Sequence, residues 1–383
     1  MIKSKEKTIL LPGKEVKQKL HDALACIPDM DECVLLDYPD YINIGDHLIW
    51  LGSISYFLEE RGIQISYLSS SEKFSSEALD NKLDRTSEKT AIFLNGGGNL
   101  GDIWTRSQAF REKIIQTYTD RPIVILPQTV FFSNAESLKK TALIFNAHPD
   151  LTIFIRDHYS YEIAIKHFHK CQVVLAPDMA FQLVGKPEFK RSPSATKGIF
   201  YMQRQDSEKN QAIDPHQLPL KKLTVGDWSS YENKWVMGGS QSRLKHFAAN
   251  LIRGGIQRGL MAPQEYLARS QWLKNADFKQ KLIATTASDQ ASSQSNLQAN
   301  LQSLSFIHAG IYQFNQYEAV ITNRLHGHIL CILMGIPHVF LPNSYYKNKG
   351  FYETWTKDIK LCQFVESVEG IEPALREVSC ANS

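Results

Sequence analysis

Short apolar runs alternate with helix-length segments along most of this chain, and that rhythm constrains its fold more than any other feature. Val34 to Leu36, Ile63 to Leu68, Ala91 to Asn95, Pro122 to Leu126, Leu151 to Ile155 and Gln172 to Leu175 read as strands. The segments between them, such as Leu48 to Leu58 and Trp104 to Tyr118, are long enough for helices. Strands spaced this way form βαβ units around a parallel sheet. A Lys-, Arg- and Pro-rich stretch at 185–198 interrupts the series. It resumes with Ile199 to Met202, a helical stretch at Gln241 to Gly259, Glu318 to Ile321 and His338 to Leu341. With 383 residues, a chain of about one domain per ~150 residues has two. The expectation is an α/β protein of two Rossmann-like halves, 1–188 and 189–383, the second carrying a polar Ser/Gln/Ala/Asn-rich insertion near 276–303.

Charge and cysteine usage narrow the function. A net charge of +3 and a pI near 8.4 are too mild for a nucleic-acid partner. No apolar stretch reaches the ~20 residues needed to span a bilayer, and Met1 to Lys7 is charged with no apolar signal core behind it. The six cysteines contain no CxxC pair, so neither a metal site nor a dithiol site is indicated. Scattered single cysteines fit a reducing, cytoplasmic setting.

Two Asn/Gly/Asp turns mark the first half. Asn95-Gly96-Gly97-Gly98-Asn99-Leu100-Gly101-Asp102 follows a strand, and Gly96, Gly98 and Gly101 satisfy G-x-G-x-x-G. A dinucleotide site is disfavoured all the same. The glycines do not lie on the first βα turn, and Asp102 would repel a pyrophosphate at the helix start. Asp102 then reads either as a helix cap or as a carboxylate facing a ligand. Asn43-Ile44-Gly45-Asp46 likewise follows a strand and opens a helix. Both turns belong at the carboxyl edge of the sheet, where ligands of open α/β sheets bind. Carboxylates there suit sugar hydroxyls better than phosphates.

The second half carries Thr322-Asn323-Arg324-Leu325-His326-Gly327 at a strand-to-helix turn. Arg324 offers a planar fork for a carboxylate or phosphate, and His326 exchanges protons near neutral pH. Arg204, after the strand Ile199 to Met202, is placed like Arg324, at a strand's carboxyl end. Two arginines and a histidine converging there suit a small dianion that carries both carboxylate and phosphate. Arg156 reads mainly as half of a local ion pair, and Asp178 as a cleft-lining residue.

These segments, together with Leu126-Pro127-Gln128-Thr129 and Pro177-Asp178-Met179-Ala180, resemble the polysaccharide pyruvyl transferase family, in the family's order and across most of the chain. The resemblance implies an architecture similar to the GT-B glycosyltransferases, with two halves facing a cleft. It implies phosphoenolpyruvate as donor substrate, no cofactor, and a sugar or lipid-linked oligosaccharide as acceptor at the cytoplasmic membrane face. Arg324, Leu325 and His326 fall on the family's donor-binding segment, and Arg204 on its second arginine. In that frame His326, Arg324 and Asp102 are the candidate catalytic residues. Arg204, Leu325, Asn323, Asn43, Gly45, Asp46, Gly97, Gly98 and Asn99 are the candidate binding residues. The competing readings are a nucleotide-sugar glycosyltransferase of similar shape and a non-catalytic sugar-binding relative.

Overall fold

Twelve described strands fall into two sheets, and all of the pairings are parallel. The computed structural model describes residues 11–191, 197–204, 208, 213–228, 267–272 and 290–380, and for 290–299 the backbone alone. The stretch at 241–259 and the part of the polar segment at 276–289 lie outside the described residues.

The first sheet has the order β2-β1-β3-β5-β6-β7, with β4 pairing β5 beyond the end of β3. Its strands are β1 (Glu32–Leu36), β2 (Gln64–Ser69), β3 (Ile92–Leu94), β4 (Gly97–Gly101), β5 (Ile123–Phe131), β6 (Leu151–Ile155) and β7 (Gln172–Leu175). The second sheet runs β12-β11-β10-β8-β9. It comprises β8 (Ile199–Met202), β9 (Leu223–Gly226), β10 (Ala319–Thr322), β11 (His338–Phe340) and β12 (Cys362–Phe364). The mixed α/β character and parallel sheets of a Rossmann-like fold are therefore present. β4, β9 and β12 escaped the sequence reading, because strands of three to five residues that include glycine or polar residues carry little apolar signal.

Each sheet needs helices on both faces, and one helix serves both sheets. Helix α1 (Lys14–Leu24) precedes β1, and α2 (Ile44–Ser55) follows it. Almost every residue of α2 is buried, as a helix apolar around its circumference must be. Gly52 of α2 sits so close to the Met179 carbonyl that a Cβ would overlap it. On its far side α2 meets α7 (Gln290–Phe314) and α8 (Leu325–Met334), which belong to the second half. Trp50, fully buried, donates from Nε1 to Asn300 Oδ1 at 2.8 Å, and His47 Nδ1 pairs with Ser303 Oγ at 2.9 Å. One apolar cluster thus runs from α1 through α2 to α7 and α8. The end of the polar segment, 290–303, is the first half of α7 and part of this interface. Among the described residues no helix is long and apolar enough to cross a membrane.

Trp50→Ala removes the largest side chain of this shared interface and leaves Asn300 unpaired. It should cost roughly 3–5 kcal/mol, read as a lower urea midpoint with an unchanged slope.

Candidate active site

A cavity of about 660 Å³ opens at the carboxyl ends of the strands of both sheets, the edge where open α/β sheets take ligands. The loops after β1, β2, β4 and β6 form one wall, and those after β8, β9 and β10 the other.

The second wall is cationic and braced. At the end of β10, Thr322 Oγ1 accepts from Arg324 N at 3.0 Å, and Asn323 Oδ1 accepts from Arg204 N at 3.0 Å. Asn323 is therefore the clip that sets both arginine loops side by side. The Arg324 guanidinium donates from Nε and Nη2 to the two oxygens of Asp227, the Nη2 bond being 2.7 Å. Arg204 Nη1 donates to Glu208 Oε2 at 3.1 Å, and the same oxygen receives the ammonium of Lys347, from α9 (Lys347–Phe351). Arg204, Arg324, Lys347, Asp227 and Glu208 are all buried. Such carboxylates fix the rotamers of long cations before any ligand arrives.

The first wall adds a buried Arg–Asp–His line. Arg156, 1% exposed, donates to Thr129 Oγ1 at 2.9 Å and to Asp178 Oδ2 at 2.5 Å. The same Asp178 oxygen faces His326 Nε2 at 3.5 Å, and Asp178 Oδ1 accepts from Ala180 N at 2.9 Å. Burial alone would raise the Asp178 carboxyl, but His326, Arg156 and the Ala180 amide together hold it down at about 2. His326 Nε2 is buried without a hydrogen bond, the Asp178 contact being too long for one. An imidazole nitrogen held this way is a functional signal. At the donor-facing wall Arg156, Arg204, Arg324 and Lys347 outnumber Asp178, Glu208 and Asp227 by one, while the opposite end brings Arg106 against Asp40, Asp46 and Glu72. Burial beside Arg204 and Arg156 lowers Lys347 to about 8 despite its bond to Glu208.

Two glycines make the assembly possible by lacking a side chain. A Cβ on Gly45 would lie 2.6 Å from His326 Cγ, so the turn at Asn43–Asp46 packs directly under the imidazole. A Cβ on Gly98 would lie 2.9 Å from Arg156 Nη2 and 3.4 Å from Lys347 Nζ. Asn43 caps α2 by accepting from Gly45 N at 3.0 Å and donates to Asp46 Oδ2 at 2.8 Å. Asn99 Oδ1 accepts from Arg111 Nη2 at 2.6 Å and from Gln128 Nε2 at 3.2 Å, which sets it in the cavity wall.

Arg324, Leu325, His326, Arg204, Asn43, Asp46, Gly98 and Asn99 therefore share one cavity. Gly45 and Asn323 support it from behind, and Gly97 lies beneath it, paired with Gln128. Asp102 is the correction. Its carboxylate accepts from Ser133 N and Asn134 N at 2.9 and 2.7 Å and from Ser133 Oγ at 3.0 Å, so it anchors the turn before α5 (Ala135–Ala147) and does not line the cavity. The glycine run is likewise strand β4, hydrogen-bonded along β5, and the next helix, α4 (Thr105–Thr117), opens only after it.

Lys347, Glu208 and Asp227 escaped the sequence reading, since none sits in a motif at a strand end that pattern alone could flag. Arg156 and Asp178 were visible, but the short segment around each shows only half of their pairing. Among the described residues, His328, His338 and Cys362 could hold a metal, with ligand atoms within 4.8 Å of one another. They lie outside the cavity. The two imidazoles bond to each other at 2.7 Å, and His338 Nδ1 bonds the Ile336 carbonyl, so the group is satisfied as it stands.

Comparison with known proteins agrees with this assembly. The profile of polysaccharide pyruvyl transferases matches residues 43–345, a span that includes every cavity-lining group named above except Lys347. The chain belongs to the polysaccharide pyruvyl transferase family. It is 32% identical to EpsO of Bacillus subtilis (strain 168), named there as a pyruvyl transferase, over 92% of this chain and 94% of EpsO. Pyruvyl transferase 1 of Schizosaccharomyces pombe is 25% identical over 89% of this chain and 74% of its own. A solved structure of an uncharacterized Klebsiella pneumoniae protein shares the fold with a TM-score of 0.54 and 16% identity, over 92% of this transferase and 99% of that chain.

Asp178→Asn leaves Arg156 buried without its counter-charge and should cost roughly 3–5 kcal/mol at neutral pH. Because the folded carboxyl lies below the ordinary 3.8, its stabilisation is complete above that value and is lost as the pH falls through about 2. Urea unfolding of both proteins should show the gap between them closing near pH 2.

Proposed function

We propose that this transferase moves the pyruvyl group of phosphoenolpyruvate, as a cyclic ketal, onto two hydroxyls of a sugar in a surface polysaccharide or its lipid-linked precursor. The observation that carries the reading is the meeting of Arg204, Arg324 and His326 in one cavity, with Arg156 and Lys347 beside them in its lining. A three-carbon anion bearing carboxylate and phosphate matches two guanidinium forks and an ammonium. The two sheets, each offering its carboxyl edge to the same cavity, support a GT-B-like pairing of acceptor and donor halves.

The chemistry follows from the side chains. The His326 imidazole gives a proton to the methylene carbon of the enol, leaving a cation-like C2. One sugar hydroxyl adds to C2 and loses its proton, for which Asp46 is the carboxylate in place at the cavity. The second hydroxyl then displaces phosphate: its oxygen forms the new C–O bond, its proton returns to the His326 ring, the C2–O bond to phosphate breaks, and phosphate leaves with the bonding pair and takes up the proton held by Asp46. Arg324 and Arg204 stabilise the charge that accumulates on the leaving group. Asp178 orients the imidazole, and Gly45 leaves it room.

Phosphate release from phosphoenolpyruvate in the presence of a panel of glycosides, with products weighed by mass spectrometry, tests the reading. Wild type should yield phosphate and a glycoside heavier by one pyruvate ketal. His326→Ala should lower kcat by about 10²–10⁴-fold, the range of general acid catalysis, with the fold intact by circular dichroism. Arg324→Ala should chiefly raise KM for phosphoenolpyruvate. Lys347 loses its charge above about pH 8, so KM for the donor should rise as the pH climbs from neutrality past that value. Lys347→Arg, charged throughout, should flatten the rise.

A further inference from the structure

The cavity is asymmetric, and its non-cationic end has no use in donor binding. The loops after β1, β2 and β4 bring Asp40, Tyr41, Asp46, Glu72 and Trp104 to it, and the one cation they add, Arg106, is ion-paired to Glu72 at 2.6 Å. Tyr41 is 48% exposed and Trp104 40% exposed, two of the few large apolar side chains open to solvent among the described residues. Exposed aromatic surface ringed by polar groups, in a concave site, is the mark of a ligand face.

Trp104 is also in the wrong place for local structure. It occupies the N-cap of α4 and makes no side-chain cap bond, where Ser, Thr, Asp or Asn would contribute about 1 kcal/mol. A residue that forfeits a cap to present an indole to a cavity points to selection for that indole. In the same cavity, Asp46 is held open. Tyr41 OH and Asn43 Nδ2 both donate to Oδ2, at 2.9 and 2.8 Å, and among the described residues Oδ1 accepts no hydrogen bond.

A pyranose has the complementary shape: a flat face of C–H groups and an edge of hydroxyls. Aromatic rings take the face and carboxylates take the edge. Given the transfer proposed above, on which this inference rests, we infer that Trp104 and Tyr41 form the platform for the acceptor's pyranose ring. Asp46 Oδ1 receives one of the two hydroxyls that the ketal will bridge. A cavity of about 660 Å³ exceeds what a three-carbon donor fills and leaves the aromatic end for a sugar ring.

The experiment separates platform from donor site. Binding of phosphoenolpyruvate is read by thermal shift, and binding of methyl glucoside, methyl galactoside and methyl mannoside by tryptophan fluorescence, in wild type, Trp104→Ala, Trp104→Phe and Tyr41→Phe. The expected result is donor binding within about twofold of wild type in all four. At least one glycoside should change the fluorescence of wild type, with no such change in Trp104→Ala. Where kinetics are measured, Trp104→Ala should raise the acceptor KM at least tenfold and Trp104→Phe should recover most of it. If wild type binds phosphoenolpyruvate but no glycoside alters its fluorescence, or if the change survives in Trp104→Ala, the platform is overturned. If wild type does not bind phosphoenolpyruvate, the transfer reading itself falls, whatever the glycosides do.

Discussion

The line from Arg156 through Asp178 to His326 is the interaction on which the rest of the site depends. Two of its members end strands of the first sheet, and the third opens a helix of the second. A buried carboxylate is tolerable only with its charge answered, and here the answer comes from both halves at once. The consequence is geometric. His326 is positioned by groups outside its own loop, so the imidazole is correct only when the two sheets stand in the right relation.

That relation is kept by apolar packing well away from the chemistry. Helix α2 belongs by sequence to the first half, yet it is buried against α7 and α8 of the second. Its amino end supplies Asp46 to the cavity and Gly45 to the floor under His326, and its middle supplies Trp50 to the shared core. One helix therefore carries both the Asn43–Asp46 turn of the cavity and the joint that aligns it.

Much of this was legible in the chain before any coordinates. The alternation of short apolar runs with helical segments gave the parallel sheets, and the carboxyl-edge rule placed Arg204, Arg324, His326 and the Asn43 turn in one site. What stayed hidden was pairing across long sequence distances. Asp227 and Arg324 are 97 residues apart and Glu208 and Lys347 are 139 apart, and no local pattern relates them. Asp102 misled for the opposite reason. Its local setting suits a ligand-facing carboxylate as well as a turn anchor, and only the neighbouring backbone of Ser133 and Asn134 decides. The glycine run satisfies a dinucleotide pattern that its setting already disfavoured, and the structure supplies another reason for Gly98: the close approach of the Arg156 guanidinium and the Lys347 ammonium.

The direct seating of His326 on Gly45 limits how the protein can be taken apart or recombined. A hybrid joining the first half of one relative to the second half of another inherits a working site only if the floor under the imidazole and the carboxylate beside it arrive as a matched set. The pieces freest to drift are the rim residues that touch neither and face solvent.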